Sequence, residues 1–231
     1  LHSTSRRQRQ MCIRDSNRYK VSSVKLSKPV MNRLRKNSKK KSSYASNKIE
    51  GNPLSEKQVD EVIERDERKH YLKPEQEVRN YFLALNYLEE KVSKKEKFSQ
   101  KLILDVQKLV EKGASKEKIG LRGSMPPGVL FAVYDSKTGN LDYIPPEYCD
   151  IPELLDELVE YVNTTDDHPL IVAAVVHYQL VTIHPFEDGN GRTARLLSGY
   201  IMDLNGYGFN GIGSLEEYFA SVSYTHLRAH E

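Results

Sequence analysis

The sequence predicts a mainly α-helical domain, a helical bundle with one small β-hairpin. Apolar residues recur at three- and four-residue spacing along most of the chain. A single segment, Leu121 to Pro146, is instead punctuated by glycine and proline. No internal repeat divides the rest, and a length of 231 residues suits one domain with an appended segment.

Each element has a local cause. Ser55 stands three residues before Gln58, a capping-box spacing, and Val59, Val62 and Ile63 continue the pattern, so a short amphipathic helix is expected over Ser55 to Arg68. Gln76 to Lys94 repeats it with Val78, Tyr81, Phe82, Leu85 and Leu88. Ser99 to Lys112 does so with Leu102, Ile103, Val106 and Val110 until Gly113 stops it. Val129 to Tyr134 and Leu141 to Ile144 form the expected hairpin. Ile151 to Asn163 is helical, with Leu154, Leu155, Leu158 and Val159 on one face. Asp167-His-Pro169 offers a cap and a first-turn proline for a nearly all-apolar helix. Pro185 ends that helix by His184, and the next begins near Gly191 and closes at Asn205-Gly206.

Leu1 to Ser16 and Ser221 to Glu231 share no periodicity with what they flank and are expected to be adapter-derived. Without them the net charge falls from +3 to about 0. What remains is an asymmetry. Asn17 to Ala45 holds ten Lys or Arg, among them Lys39, Lys40 and Lys41, and no acid. It is expected to be a solvated basic arm, with nucleic acid or a membrane as the less favoured partners. The organisation expected is thus residues 17–74 as arm and N-terminal segment and 75–220 as the core domain, the chain breaking off near Ala220 before its natural end. Outside the suspect ends Cys149 is the one cysteine, which fits a reducing cytoplasm. The longest apolar run, Pro169 to Ile183, is too short to span a membrane.

His184-Pro-Phe-Glu-Asp-Gly-Asn-Gly-Arg-Thr-Ala-Arg195 carries the chemistry. Main-chain amides from Gly189 to Thr193, at a helix start, can converge on an anion, and glycines let phosphate oxygens approach. Arg192 and Arg195 are three apart and can grip polyphosphate oxygens. Asp188 supplies one hard oxygen, sufficient for Mg2+ when substrate phosphates complete the shell. His184 titrates near neutrality and suits the removal of a proton from a hydroxyl. Competing readings fare worse. Gly189-x-Gly191-x-x-Ala194 imitates a dinucleotide fingerprint, but a helix, not a strand, precedes it. An EF-hand starting at Asp188 would need glycine where Thr193 stands and glutamate where Gly199 stands. His177, His184 and Asp188 are split by a helix end and make a poor zinc set.

The stretch His184-Pro-Phe186-x-Asp188-Gly-Asn-Gly-Arg192-x-x-Arg195 resembles the signature of the Fic family at every defining position. Tyr143-Ile-Pro-Pro146 and the helix holding His177 and Ile183 extend the resemblance. It implies a Fic-type bundle acting as a protein adenylyltransferase, which moves AMP from ATP to a Ser, Thr or Tyr hydroxyl of a target protein. His184 is then the general base and Asp188 the Mg2+ ligand. Gly189, Asn190, Gly191, Arg192, Thr193, Ala194 and Arg195 bind the nucleotide, and Phe186 packs to fix the loop. Retention of Gly191 and Arg195 favours AMP over phosphate transfer. His177 is expected to be a satisfied core histidine and Glu187 to face solvent.

Ser46-Asn-Lys-Ile-Glu50-Gly51-Asn52 reads as a short helix around residues 44–52 that Gly51, Asn52 and Pro53 end, and it is similar to the inhibitory motif of the same family. The resemblance implies that Ser46 and Glu50 engage Arg195 and that Glu50 takes the place of the ATP γ-phosphate. It further implies that the hairpin, through Val129, Leu130, Phe131, Ala132, Val133 and Tyr143, docks a strand of the target. Two rivals stay open: removal of AMP or transfer of another nucleotide or phosphate by the same site, and a nucleic-acid-binding regulator with an idle site. The oligomeric state is left open, a homodimer included.

Overall fold

A computed structural model describes residues 16, 19, 20, 23–65, 70–114, 119–134 and 139–222. Apart from Ser16 and the Ser221–Val222 pair, the two end segments expected to be non-native lie outside the described residues. So do the last residues of the helix expected over Ser55 to Arg68 and most of the hairpin turn.

In chain order the helices are α1 (Lys28–Ile49), α2 (Glu56–Glu64), α3 (Lys73–Ser93), α4 (Gln100–Glu111), α5 (Ile151–Thr164), α6 (Pro169–Ile183), α7 (Asn190–Leu204) and α8 (Leu215–Val222). Between α4 and α5 lie β1 (Val133–Tyr134) and β2 (Leu141–Tyr143). Ser55 closes the capping box with Gln58 that the spacing predicts, and Ser99 also caps its helix, Oγ accepting from Leu102 N at 3.2 Å. The cap of α6 differs. His168 takes the position, its Nδ1 accepting from Leu170 N at 3.2 Å, while the Asp167 carboxylate accepts instead from Tyr161 OH.

The core is a continuous cluster that draws on α3 to α7, with Tyr81, Leu102, Ile103, Leu155, Val176, Leu180, Leu197 and Tyr200 fully enclosed. Helices α6 and α7 pack against one another at its centre, and Ser198 Oγ donates to Ala173 O at 2.9 Å across the contact. Burying these apolar side chains is what sets the relative position of the two helices that meet at the His184 loop.

Two expectations need correction. Residues 28–45 are not a solvated arm: they form most of α1, a 22-residue helix on which Ser38, Lys40, Ser42, Ser43, Ala45, Ser46 and Asn47 are buried. Sequence reading reached only its C-terminal end, around residues 44–52, because most of the buried stripe is serine, alanine and asparagine, which carry little hydrophobic periodicity. Three of its six lysines pair with carboxylates. Lys39 pairs with Glu89, Lys40 with Glu64 at 2.7 Å and Asp60 at 3.3 Å, and Lys41 with Glu217 at 2.9 Å.

The hairpin is the second correction. Only Val133 and Tyr134 pair with Tyr143 and Leu141, with an irregularity between them. Val129 and Leu130 precede the strand and are exposed. Pro126, Pro127 and Gly128 turn the chain there, Val129 N donating to Pro126 O at 3.0 Å, and proline cannot join a ladder. Among the described residues no helix is long and apolar enough to cross a membrane.

Candidate active site

The site is the junction of α6 and α7. His184 ends α6 with φ 49° and ψ 58°, a left-handed conformation that costs a non-glycine residue about 1–2 kcal/mol. The surroundings hold it there. Arg122, itself buried, donates from Nε to His184 O at 2.8 Å and from Nη2 to Pro146 O, and its main-chain N–H donates to Pro185 O at 2.9 Å. Phe186 is enclosed, as expected, and forms an isolated bridge with Leu121. Its N–H donates to Asn190 Oδ1 at 3.0 Å, and Asn190 Nδ2 returns a bond to Phe186 O at 2.8 Å. The Asn190 side chain is therefore committed to the loop.

The imidazole is set for one role. Nδ1 lies 3.2 Å from Val181 O, and a carbonyl only accepts, so the proton sits on Nδ1 and Nε2 carries the lone pair. Burial pushes the His184 pKa down, and the Arg122 guanidinium adds to this against the opposing pull of Val181 O, Glu50 and Asp188. The neutral, basic form is thereby favoured. The Phe131 ring stands 5.9 Å from the His184 ring and is itself covered by Arg122, whose guanidinium carbon is 4.5 Å from its centre. Of the hairpin residues named from sequence, Phe131 is the one in ring contact with the histidine.

Helix α7 begins with Gly189 at φ 82° as its cap. The amide cradle is narrower than the sequence suggested. Thr193 N–H donates to Gly189 O at 2.9 Å, and Gly189 N–H is taken by Asp188 Oδ1 at 2.7 Å. This leaves Asn190, Gly191 and Arg192, the first turn, without intrahelical acceptors. The side chains of Thr193 and Ala194 are buried, and Thr193 Oγ1 has no hydrogen-bond partner in the protein. Asp188 Oδ1 also accepts from Arg192 Nη2 at 3.2 Å, and its side chain keeps a third of its surface exposed. Among the described residues no three His, Cys, Asp or Glu side chains converge, so a divalent cation here would be shared between Asp188 and ligand phosphates. The residues fit that mode of binding.

Arg195 is almost fully buried and faces α1. Its Nη2 donates to Glu50 Oε1 at 2.5 Å and Ser46 O at 3.2 Å, and its Nε donates to Ser46 Oγ at 2.9 Å. Glu50 is the C-cap of α1. Gly51, at φ 80°, donates to Lys48 O and Asn52 to Asn47 O, the paired bonds that close a helix around a left-handed glycine. That closure delivers the carboxylate onto α7, where a methyl group on Gly191 would fall 2.7 Å from Glu50 Oε1.

Two site residues were not singled out from sequence. Arg122 sits in a glycine-rich segment with no periodicity to mark it. Glu111 stands on the buried face of α4, its Oε1 2.9 Å from Arg192 Nη2 though not aligned as a hydrogen bond. Burial pushes its carboxyl up to about 7, with the Arg192 charge pulling the other way. A charged residue at the end of an apolar stripe was the available signal. His177, in turn, is half-buried and stacks on Phe219 at 5.5 Å, short of the core position expected, and Glu187 faces solvent.

Fold and site together define a helical domain whose central helix start can hold an anion beside a neutral imidazole. A Fic/DOC family model matches residues 48–202, and the chain belongs to that family. It is 39% identical over 94 residues to protein adenylyltransferase fic-1 of Caenorhabditis elegans, covering 38% of this chain and 18% of that protein. It is 29% identical over 209 residues to protein adenylyltransferase Fic of Drosophila erecta, covering 87% and 39%. The chain thus spans less than half the length of these relatives. The crystal structure of a Fic family protein from Desulfovibrio desulfuricans G20 superposes with a TM-score of 0.79 at 23% identity, over 99% of this chain and 67% of that one, which places the fold.

Proposed function

We propose that this chain is a protein adenylyltransferase that transfers AMP from ATP to a Ser, Thr or Tyr hydroxyl of a target protein and is restrained by its own Glu50. The observation that carries the reading is the presentation of His184. Its Nδ1 is tied to Val181 O, and the Arg122-braced loop that follows leads directly into the open amides of α7.

The residues divide the work as follows. The first-turn amides of α7 and the side chain of Arg192 hold the phosphates, with Arg195 joining once Glu50 withdraws. Asp188 would hold Mg2+, which when bound neutralises phosphate charge. A target hydroxyl lying against Phe131 loses its proton to His184 Nε2 as its oxygen bonds to the α-phosphorus. The bond from that phosphorus to the bridging oxygen breaks, and pyrophosphate leaves with the electron pair. The short β1–β2 ribbon offers the target main chain an edge to pair with, which aligns a hydroxyl while reading little side-chain identity. Among the described residues Cys149 is the one cysteine, and it is exposed and free, in keeping with a cytoplasmic setting.

Restraint follows from the Glu50 position. A carboxylate on Gly191 that also consumes the Arg195 guanidinium opposes a γ-phosphate there by charge and by volume. The Glu50 charge also reaches His184. This favours a second reading, in which the same glutamate positions water to release AMP from a modified target. Incubation with ATP labelled at the α-phosphate, with and without cell lysate, separates the cases. Label on protein that depends on His184 and increases in Glu50→Gly supports transfer. Label absent from every variant rejects it.

A further inference from the structure

Helix α4 lies beneath the His184–α7 loop, and the chemistry above gives it no part. Its stripe of Leu102, Ile103, Val106 and Val110 is buried as an amphipathic helix requires, yet Gln107 and Glu111 are just as deeply buried. These two are one turn apart and share a face. Both reach the loop. Gln107 Nε2 donates to Asp188 O at 3.3 Å, and its Oε1 accepts from Gly120 N at 3.1 Å. Glu111 Oε1 lies 2.9 Å from Arg192 Nη2, and a methyl group on Gly189 would fall 2.6 Å from the same oxygen.

Stability alone does not call for this pair, because a buried ion pair loses much of its Coulomb energy to desolvation and apolar groups in place of both partners often pack as well. What the pair contributes is geometry. One nitrogen of Arg192, Nη2, is shared by Glu111 and Asp188, while Nε is buried without a hydrogen-bond partner. The guanidinium is therefore steered from α4 on one side and from the loop on the other. Arg192 is also the third residue of α7, so the same contact ties the first turn of the helix, with its open amides, to the core.

We propose that Glu111 is a positioning residue for Arg192, holding the guanidinium in the orientation in which it meets the phosphates of the nucleotide. This rests on the functional reading above. The phosphates then encounter an arginine whose rotamer is already fixed, and binding need not order it.

The test is a double-mutant cycle in the Glu50→Gly protein, with Glu111→Gln, Arg192→Gln and the pair. KM for magnesium ATP, kcat for labelled transfer and thermal midpoint are measured for each. Glu111→Gln, of equal volume, is expected to raise KM about tenfold with kcat within about threefold, and Arg192→Gln to lose no more when Glu111→Gln is added. Glu111→Leu, packed without charge, is expected to give the same KM in a fully folded protein. The idea is overturned if KM stays within twofold of the Glu50→Gly parent, if the two losses multiply, or if KM moves only with the thermal midpoint. A parent that takes up no magnesium ATP would reject the functional reading itself and this inference with it. A parent that binds while Glu111→Gln binds equally well would reject the inference alone.

Discussion

Glu50 and Arg195, separated by 145 residues, meet at 2.5 Å, and the contact joins the C-cap of α1 to the second turn of α7. The arginine is enclosed and the glutamate about a third exposed, so the pair is partly screened at one end. Replacing Glu50 with glycine leaves Arg195 hydrogen-bonded to Ser46, with the Glu216 carboxylate as the remaining acid that acts on its charge. We expect a stability loss of about 1–3 kcal/mol, below that of a fully buried pair, and at least a tenfold rise in AMP incorporation. Urea unfolding and labelled ATP measure the two. A rise in label without any stability loss would show that the ion pair does not hold α1.

The pH profile follows from His184. Burial lowers its pKa below 6.5, so the group is neutral, and able to accept a proton, at lower pH than a free histidine would be. Transfer by the Glu50→Gly protein should fall as pH drops through the lowered value. Stability has the matching sign. The unfolded chain binds the proton first, so stability is lost as pH falls below 6.5 and the loss levels off beneath the folded pKa. His184→Ala should remove the histidine's share of both dependences, leaving that of Glu111, whose carboxyl burial pushes up to about 7, and reduce transfer by about 100-fold or more.

Arg122 is expected to matter as a brace. Arg122→Met leaves His184 O and Pro146 O without their donor and uncovers Phe131, at a cost of about 2–4 kcal/mol. Transfer should fall by about tenfold beyond what unfolding explains, since the histidine loop is displaced. Arg122→Lys should not restore it, because an ammonium cannot span two carbonyls in the fork geometry. Full activity in the lysine variant would argue against the brace.

Gly189→Ala tests the helix start from another side. The residue has φ 82°, and an added methyl group would meet Glu111 Oε1 at 2.6 Å. Strain of about 1–2 kcal/mol is expected from the backbone alone. Binding of magnesium ATP, read by calorimetry in the Glu50→Gly background, should weaken more than thermal stability falls.

The lysines of α1 should give no strong nucleic-acid binding. Lys39, Lys40 and Lys41 are neutralised by carboxylates on α2, α3 and α8. Fluorescence anisotropy with duplex DNA should show affinity no better than the about 10⁻⁴–10⁻⁶ M of non-specific contact. Submicromolar binding that weakens steeply with salt would reinstate the regulator reading.

How far the sequence could be read depended on what kind of signal each part left. The cap at Ser55, the stop at Pro185 and the stripe on α7 are local, and they stand where the pattern put them. The His184 to Arg195 loop was equally legible, because its glycines and charged residues are contiguous. What escaped detection was built from distant pieces or weak patterns. Helix α1 hides a serine-rich buried face under a lysine-rich composition. Arg122 acts on carbonyls of residues 146 and 184, which no spacing rule connects. Glu111 shows itself only when α4 is laid under α7.

The length of α1 has a mechanical consequence. A helix of 22 residues is a stiff member about 33 Å long, and its middle is fastened elsewhere: Arg35 to Asn210, Ser38 to Gly213 and Ser42 to Ser214. Glu50 is therefore carried at the tip of a bolt seated in the segment after α7. Under the proposed restraint, release calls for rotating that one side chain or drawing the whole bolt, and a grip on residues 210–217 would then have leverage on the far end.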